Sequence, residues 1–114
     1  MEKPKVFSFT FASLYPLYLR KIEKKNRTKD ELDAVIFWLT GYNKETLQNQ
    51  IQQQVTLETF FNEVPLFNPA ANTISGVICG VRVEEIEDPL MQKIRYLDKL
   101  VDDLAKGKSR SIIL

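Results

Sequence analysis

Histidine is absent from the sequence, cysteine occurs once, at position 79, and glycine occurs only four times. Without histidine, neither a Ser-His-Asp triad nor a Cys-His pair is available to activate a nucleophile, and the usual histidine and cysteine ligand sets for zinc are missing. These absences favour a protein that is not an enzyme, and we expect no cofactor and no metal site. The single cysteine allows no disulfide within the chain, which favours a cytoplasmic protein.

Long apolar segments are also lacking. No uninterrupted apolar run approaches the roughly 20 residues that a membrane-spanning helix requires. The first apolar stretch, residues 6–19, is broken by polar residues and by Pro16, and no small-residue cleavage site follows it, so we predict no signal peptide. We therefore expect a cytoplasmic protein that does not contact a membrane.

A chain of 114 residues that is 44% hydrophobic and 27% charged is typical of one globular domain. Its length is sufficient for a single two-layer core without disulfides or metals. We predict one domain over residues 1–114, with flexible ends at residues 1–10 and 108–114.

Apolar residues recur at helical spacing in several segments. Thr28 and Glu31 form a capping-box sequence before an apolar stripe that Gly41 ends, which predicts the most clearly marked helix. Another helix is predicted to start near Ser13, because Pro16 is then in or near its first turn, where a missing N–H costs nothing.

The remaining helices are predicted from their capping residues. Asn, Thr and Asp favour the position before a helix, because their side chains accept hydrogen bonds from unpaired backbone N–H groups, and proline favours the first helical position. The predicted helix starts are Asn43 (for residues 44–54), Thr56, Asn68-Pro69 and Asp88-Pro89, the last of which begins the longest helix, closed by Gly107.

Residues 73–83 are ambiguous between strand and helix. Their β-branched side chains favour a strand, whereas Gly76 and Gly80 also fit a closely packed buried helix. A strand requires a partner, and residues 5–9 are the other candidate with alternating polarity.

Three segments of the chain resemble a small bacterial family: FASLYPLY at residues 11–18, VIFWLTGY at 35–42 and GVICGVRVEEIEDPLMQKIRYLDKL at 76–100. This family is domain of unknown function 2200, and the resemblance covers nearly the whole chain. It implies an all-α fold, a compact orthogonal bundle of about five to six helices, in the bacterial cytoplasm. It also favours helix for residues 76–80; the alternative is a short strand or extended segment near 5–9 and 77–83. The resemblance implies no activity and no functional residues.

The net charge of +1 is unevenly distributed along the chain. Residues 1–29 contain 8 Lys and Arg against 2 Glu, residues 30–104 contain 5 against 13 acidic residues, and residues 105–114 contain 3 against none. Such segregation fits an internally paired surface, which we favour, contact between copies of the chain, or binding to a phosphate backbone. The candidate nucleic-acid-binding residues are Arg20, Lys21, Lys24, Lys25, Arg27 and Lys29.

A second set of candidates combines charged and aromatic side chains. Arginine holds anions through its forked guanidinium, and aromatic rings form the walls of pockets. The carboxylates at residues 84–88 lack the spacing of a calcium loop, so a helix cap with ion pairs is favoured over a cation site. The candidate ligand-binding residues are Trp38, Tyr42, Arg82, Glu84, Glu85, Arg95 and Tyr96.

Three functions are consistent with these patterns. The favoured hypothesis is a non-enzymatic interaction domain that binds a protein partner or forms a homo-oligomer. One alternative is a small-ligand binder or enzyme that uses Arg82, Glu85, Arg95 and Tyr96. The other alternative is a nucleic-acid binder that uses the basic segment 20–29.

Overall fold

The structure, a computed structural model, describes residues 5–78 and 80–107. Over these residues it confirms the predicted helical bundle, since five α-helices surround one hydrophobic core and the strands form a single small hairpin. The helices are α1 (Phe11–Glu23), α2 (Lys29–Thr40), α3 (Lys44–Gln52), α4 (Leu57–Asn62) and α5 (Pro89–Ala105). Three 3-10 turns cover Lys5–Ser8, Pro69–Thr73 and Val83–Glu85, and the strands are β1 (Val77–Ile78) and β2 (Val81–Arg82).

Local capping sets the starts of α2 to α5, as predicted. The Thr28 hydroxyl accepts a hydrogen bond from the Glu31 N–H at 3.2 Å, and the Glu31 carboxylate accepts one from the Thr28 N–H at 3.1 Å, which completes the capping box. Asn43, Thr56 and Asp88 accept equivalent bonds at the starts of α3, α4 and α5. Each cap satisfies an N–H group only three residues away, which is why the local sequence predicts it.

The end of α2 requires glycine for two reasons. Gly41 has φ 78°, in the left-handed region that glycine adopts without strain. A methyl group on its Cα would also lie 2.8 Å from the backbone N of Leu66, which donates a hydrogen bond to the Thr40 carbonyl. The loop after α4 therefore packs directly on the C-terminus of α2.

α1 begins at Phe11, earlier than the predicted start near Ser13. Phe11 is fully buried and stacks on Phe60, with ring centroids 4.0 Å apart, and its N–H donates to the Val55 carbonyl at 3.0 Å. These contacts with distant segments extend the helix toward its N-terminus and place Pro16 in the second turn instead of the first.

The helix favoured for residues 76–80 is wrong. β1 and β2 form an antiparallel hairpin, with Val77 opposite Arg82. Gly76 has φ 116°, outside the helical region, and a methyl group on its Cα would lie 2.8 Å from Cε of Lys99. The hairpin therefore lies closely on α5, and the alternative of a short strand near 77–83 is confirmed.

The strand considered near residues 5–9 is also wrong. Lys5–Ser8 forms a 3-10 turn whose Phe7 is buried. In the described part of the chain, β1 and β2 pair only with each other, and the sole isolated bridge joins Thr10 to Thr56, so residues 5–9 have no strand to pair with. Of the predicted flexible ends, residues 1–4 and 108–114 lie outside the described residues, as does Cys79.

α5 is the central helix of the bundle and packs against α1, α2 and α4. Its apolar stripe includes Leu97, Leu100 and Val101, all fully buried. One ion pair is buried beside this stripe, with Nζ of Lys99 2.9 Å from Oδ1 of Asp103. Among residues 5–78 and 80–107, no helix is both long enough and apolar enough to cross a membrane.

Candidate functional site at the basic end of the bundle

α1 and α5 lie side by side and run in the same direction. The Tyr18 hydroxyl donates a hydrogen bond to the Asp98 carboxylate, and about one turn further along both helices Nζ of Lys21 lies 3.2 Å from Oδ1 of Asp102. Because successive contacts advance toward both C-termini, α1 and α5 end at the same end of the bundle.

The turn between α1 and α2 lies at this end too. The Arg27 guanidinium rests on Gly107, where a methyl group on Cα would fall 2.7 Å from Nη2. Asp102 also accepts a hydrogen bond from Lys106, at 2.9 Å. The end of α1 and the turn after it therefore meet the C-terminal end of α5, which is far away in the sequence. We call this surface the basic end, and its residues are Arg20, Lys21, Lys24, Lys25, Arg27 and Lys106.

Three cations of the basic end are held by carboxylates. Lys21 and Lys106 share Asp102, and Nη1 of Arg27 lies 3.5 Å from Oε2 of Glu31. Burial of Asp102 acts to raise its pKa, but the hydrogen bonds from Lys106 and Lys21 outweigh burial and lower it. Exposed pairs of this kind orient side chains and add little to stability.

The other three cations of the basic end face solvent. Arg20, Lys24 and Lys25 are exposed, and within residues 5–78 and 80–107 no carboxylate lies within ion-pair distance of them. Arg20 and Lys24 are four residues apart and so share one face of α1. Leu17, 56% exposed, lies on the same face, one turn before Arg20. This face therefore presents unpaired positive charge on a regular helix.

Lys29, predicted with the same basic segment, has another role. Its Nζ donates to Asp33 at 2.8 Å and lies 5.6 Å from the centre of the Tyr15 ring, while the Tyr15 hydroxyl donates to Asp33 at 2.5 Å. Burial, and then the hydrogen bond to Asp33, raises the pKa of Tyr15 to about 12. The hydrogen bond to Asp33 also raises the pKa of Lys29. This network joins α1 to α2.

Three of the ligand-binding candidates come together before the N-terminus of α5. Arg82 lies 3.5 Å from Glu84 and 3.8 Å from Glu85. Glu84 also accepts a hydrogen bond from the Gly76 N–H at 3.0 Å, and backbone hydrogen bonds, first its own and then that of Gly76, lower its pKa. Asp88 caps α5, as predicted. No group of three or more Cys, Asp or Glu in the described residues is placed to hold a metal ion.

Arg95 and Tyr96 lie on α5 and have different partners. Arg95 donates a hydrogen bond to Asp98 at 2.7 Å. Tyr96 is buried, with its ring 6.4 Å from that of Phe67, and burial, followed by the charge of Glu84, raises its pKa. Tyr96 therefore lies near the carboxylate cluster, whereas Arg95 is engaged by the same aspartate that holds Tyr18.

Trp38 and Tyr42 lie at the end of α2 and contact the core. The Trp38 carbonyl accepts a hydrogen bond from Nδ2 of Asn68 at 3.1 Å. The Tyr42 hydroxyl donates to the Phe60 carbonyl at 2.7 Å, and burial raises the pKa of Tyr42. The arginines and aromatic residues of the predicted pocket thus have separate partners in different parts of the bundle.

Asp102, Lys106 and Gly107, which assemble the basic end, are not among the site residues predicted from the sequence. Asp102 and Lys106 are four residues apart, a spacing that signals their own pair. No local signal connects Asp102 to Lys21 or Gly107 to Arg27, because these contacts join opposite ends of the chain.

Comparison with known proteins agrees with the resemblance noted in the sequence. Residues 5–114 match the model of a family described as "Uncharacterized protein conserved in bacteria (DUF2200)". The chain belongs to this family. A solved structure, "Crystal structure of uncharacterized protein SP1917", shares 44% sequence identity with this DUF2200 chain at a TM-score of 0.88, covering 95% of this chain and 88% of that one. No curated protein matches the chain. The comparisons establish the DUF2200 family and fold, and they establish no function.

Proposed function

We propose that this DUF2200 protein is a non-enzymatic binding domain whose basic end binds a partner with closely spaced negative charges. The observation that carries the proposal is the clustering of the six cations of the basic end, of which Arg20, Lys24 and Lys25 have no carboxylate partner among the described residues. A local concentration of unpaired positive charge attracts anions and accelerates their association.

The internal use of the other candidates supports a non-enzymatic role. Arg95 is held by Asp98, Tyr42 by the Phe60 carbonyl, and Glu84 by the Gly76 N–H. Side chains with such partners stabilise the bundle, whereas Arg20, Lys24 and Lys25 of the basic end extend into solvent at the end of α1. The basic end therefore has cations that are available to bind an anionic partner.

The proposal is tested with fluorescein-labelled poly-L-glutamate, whose binding is followed by fluorescence anisotropy at low salt. The double variant Arg20→Gln/Lys24→Gln removes two cations from the basic end. The matched control Lys5→Gln/Lys44→Gln removes two exposed cations that precede α1 and begin α3.

We expect the wild-type protein and the control to bind alike. The basic-end variant is expected to bind roughly tenfold more weakly or worse, since each cation beside an anionic surface contributes on the order of 1 kcal/mol. Failure of the wild-type protein to bind both poly-L-glutamate and duplex DNA, or equal weakening of binding by both variants, would overturn the proposal.

We further propose that the protein acts in the cytoplasm, where its single cysteine stays reduced. Fractionation of the bacterial cells that contain it tests this location. Recovery in the membrane or secreted fraction would contradict it.

A further inference from the structure

We infer that the partner of the basic end is the phosphate backbone of double-stranded nucleic acid, bound without sequence preference. The inference rests on the proposed function and names its partner. Acidic proteins and single-stranded nucleic acids carry negative charge as well, so the composition of the surface around Arg20, Lys24 and Lys25 must discriminate among these partners.

The basic end has the composition of a phosphate-binding surface. The centres of protein–protein interfaces are apolar and poor in lysine, whereas surfaces that bind nucleic acid are polar and strongly positive. Of the large apolar side chains exposed in the described part of the chain, only Leu17 shares the face of α1 with the cations. The others are Phe9, Leu66, Val77 and Val81, and none of them lies in α1 or in the turn that follows it. This composition favours nucleic acid over an acidic protein.

Exposed aromatic rings distinguish binding of single strands from binding of duplexes. Proteins that hold single strands stack the bases on aromatic side chains. Phe9 is the one aromatic residue that is exposed among residues 5–78 and 80–107, and it precedes the start of α1, away from the cations at the end of that helix. The basic end therefore has no described platform for bases, which favours the backbone of a duplex.

The unpaired cations set the number of phosphate contacts. Arg20 and Lys24 are separated by about 6 Å along the axis of α1, and Lys25 follows directly. Lys21 and Lys106 are held by the Asp102 carboxylate, and Arg27 is paired with Glu31. The three cations without a carboxylate partner among the described residues predict a slope of about −3 for log K against log[salt], because each phosphate neutralised on B-form DNA contributes about −0.9.

Acidic residues oppose this binding only where they are close. Glu23 is the one acidic residue of α1, and it is exposed next to Lys24. The carboxylates at the N-terminus of α5 lie about 25 Å away along this 17-residue helix, several times the screening length of about 8 Å at physiological salt. Removal of the Glu23 charge should therefore strengthen binding, and removal of the distant charges should not.

The experiment measures the binding of labelled duplex DNA of mixed sequence by anisotropy, between about 50 and about 200 mM NaCl. A single strand of the same length and poly-L-glutamate are measured in parallel. The proteins are the wild type, Arg20→Gln/Lys24→Gln, the control Lys5→Gln/Lys44→Gln, and Glu23→Gln. Thermal unfolding checks that each variant is folded.

We expect the wild-type protein and the control to bind duplex DNA with a slope of about −3. The basic-end variant should have a slope of about −1, because two of the three contacts are lost. Glu23→Gln should bind severalfold more tightly than the wild type. A second duplex of unrelated sequence should bind equally well, and the single strand more weakly.

Three results would overturn the inference. Tight binding of poly-L-glutamate without binding of the duplex would reject nucleic acid as the partner while leaving the proposed function intact. Binding of neither probe would reject both proposals. A duplex slope that is the same in the wild type and in Arg20→Gln/Lys24→Gln would show that the DNA binds elsewhere on the protein.

Discussion

At the N-terminal end of α5, the Asp88 carboxylate accepts a hydrogen bond from the Met91 N–H at 3.0 Å, and the Glu84 carboxylate accepts one from the Gly76 N–H at 3.0 Å. At the C-terminal end of the same helix, Arg20 and Lys24 of the neighbouring α1 have no carboxylate within ion-pair distance in the described residues. Both ends are densely charged. We call the N-terminal end of α5 the acidic end; its residues are Glu84, Glu85, Glu87 and Asp88. The acidic end uses part of its charge in hydrogen bonds inside the fold, and the basic end leaves half of its cations in solvent.

The difference arises from what each side chain can bind locally. Asp and Glu are short acceptors, and the N–H groups at helix starts and turns need acceptors. Arg20 in the last turn of α1 and Lys24 at its C-terminal cap gain from the helix dipole without a specific hydrogen bond, so their charged groups stay available to a partner. Charge density alone therefore does not identify a binding surface, and the partners of each side chain must be known.

The largest effect on stability is expected at the buried ion pair of Lys99 and Asp103, which lies in α5 between its acidic and basic ends. Asp103→Ala leaves the Lys99 ammonium without this carboxylate and should lower the free energy of unfolding by about 3–5 kcal/mol. Chemical denaturation measures the change. The double variant Lys99→Met/Asp103→Leu removes both charges and should recover most of the loss; failure to recover would mean that the charge left unpaired in Asp103→Ala is not the cause.

The next effect concerns Tyr15, which anchors α1 beneath its basic face. Tyr15→Phe removes the hydrogen bond to the Asp33 carboxylate and should cost about 1.5–3 kcal/mol. The pKa of Tyr15 is about 12 in the folded protein and 10.0 in the unfolded chain. The unfolded state therefore ionises first, and stability should fall as the pH rises from 10.0 to about 12.

Denaturation at successive alkaline pH values checks this dependence. The loss should be smaller in Tyr15→Phe than in the wild type. It should not vanish, because burial also raises the pKa values of Tyr42 and Tyr96. Identical pH profiles for the variant and the wild type would contradict the assignment.

A smaller effect is expected at the acidic end. Asp88→Ala removes the cap of α5 and should cost about 1 kcal/mol. Glu87→Ala removes the same charge one residue earlier, where the described residues offer no hydrogen-bond partner, and should change stability by no more than about 0.5 kcal/mol. Thermal denaturation of the two variants separates the cap from the charge, and equal losses would mean that the charge alone matters.

The smallest effect on stability is expected at the basic end. Arg20→Gln/Lys24→Gln should change the free energy of unfolding by no more than about 0.5 kcal/mol, because neither side chain has an ion-pair partner within residues 5–78 and 80–107. Its DNA affinity should nevertheless fall sharply. A large loss of stability in this variant would mean that the two cations are used within the fold, and the contrast between the two ends would disappear.

The sequence predicts interactions between residues that are close along the chain better than interactions between distant residues. Thr28, Asn43, Thr56 and Asp88 were identified as caps because each acts on an N–H group three residues away. Composition leaves the residues around Gly76 open between helix and strand, because small and β-branched side chains suit either, and the helix that the resemblance favours there is wrong. The contact of Gly76 with Lys99, made across the fold, accompanies the hairpin instead.

The candidate site likewise has features that the local sequence predicts and features that depend on contacts between distant segments. The basic segment at residues 20–29 is visible in the sequence, and so are the helices that carry it, because charge and capping are local properties. Which cations stay unpaired depends on contacts between segments far apart in the chain, such as Lys21 with Asp102 and Lys29 packed on Tyr15. The parallel packing of α1 on α5 brings the cations at the end of α1 beside Lys106, and no local pattern encodes that packing.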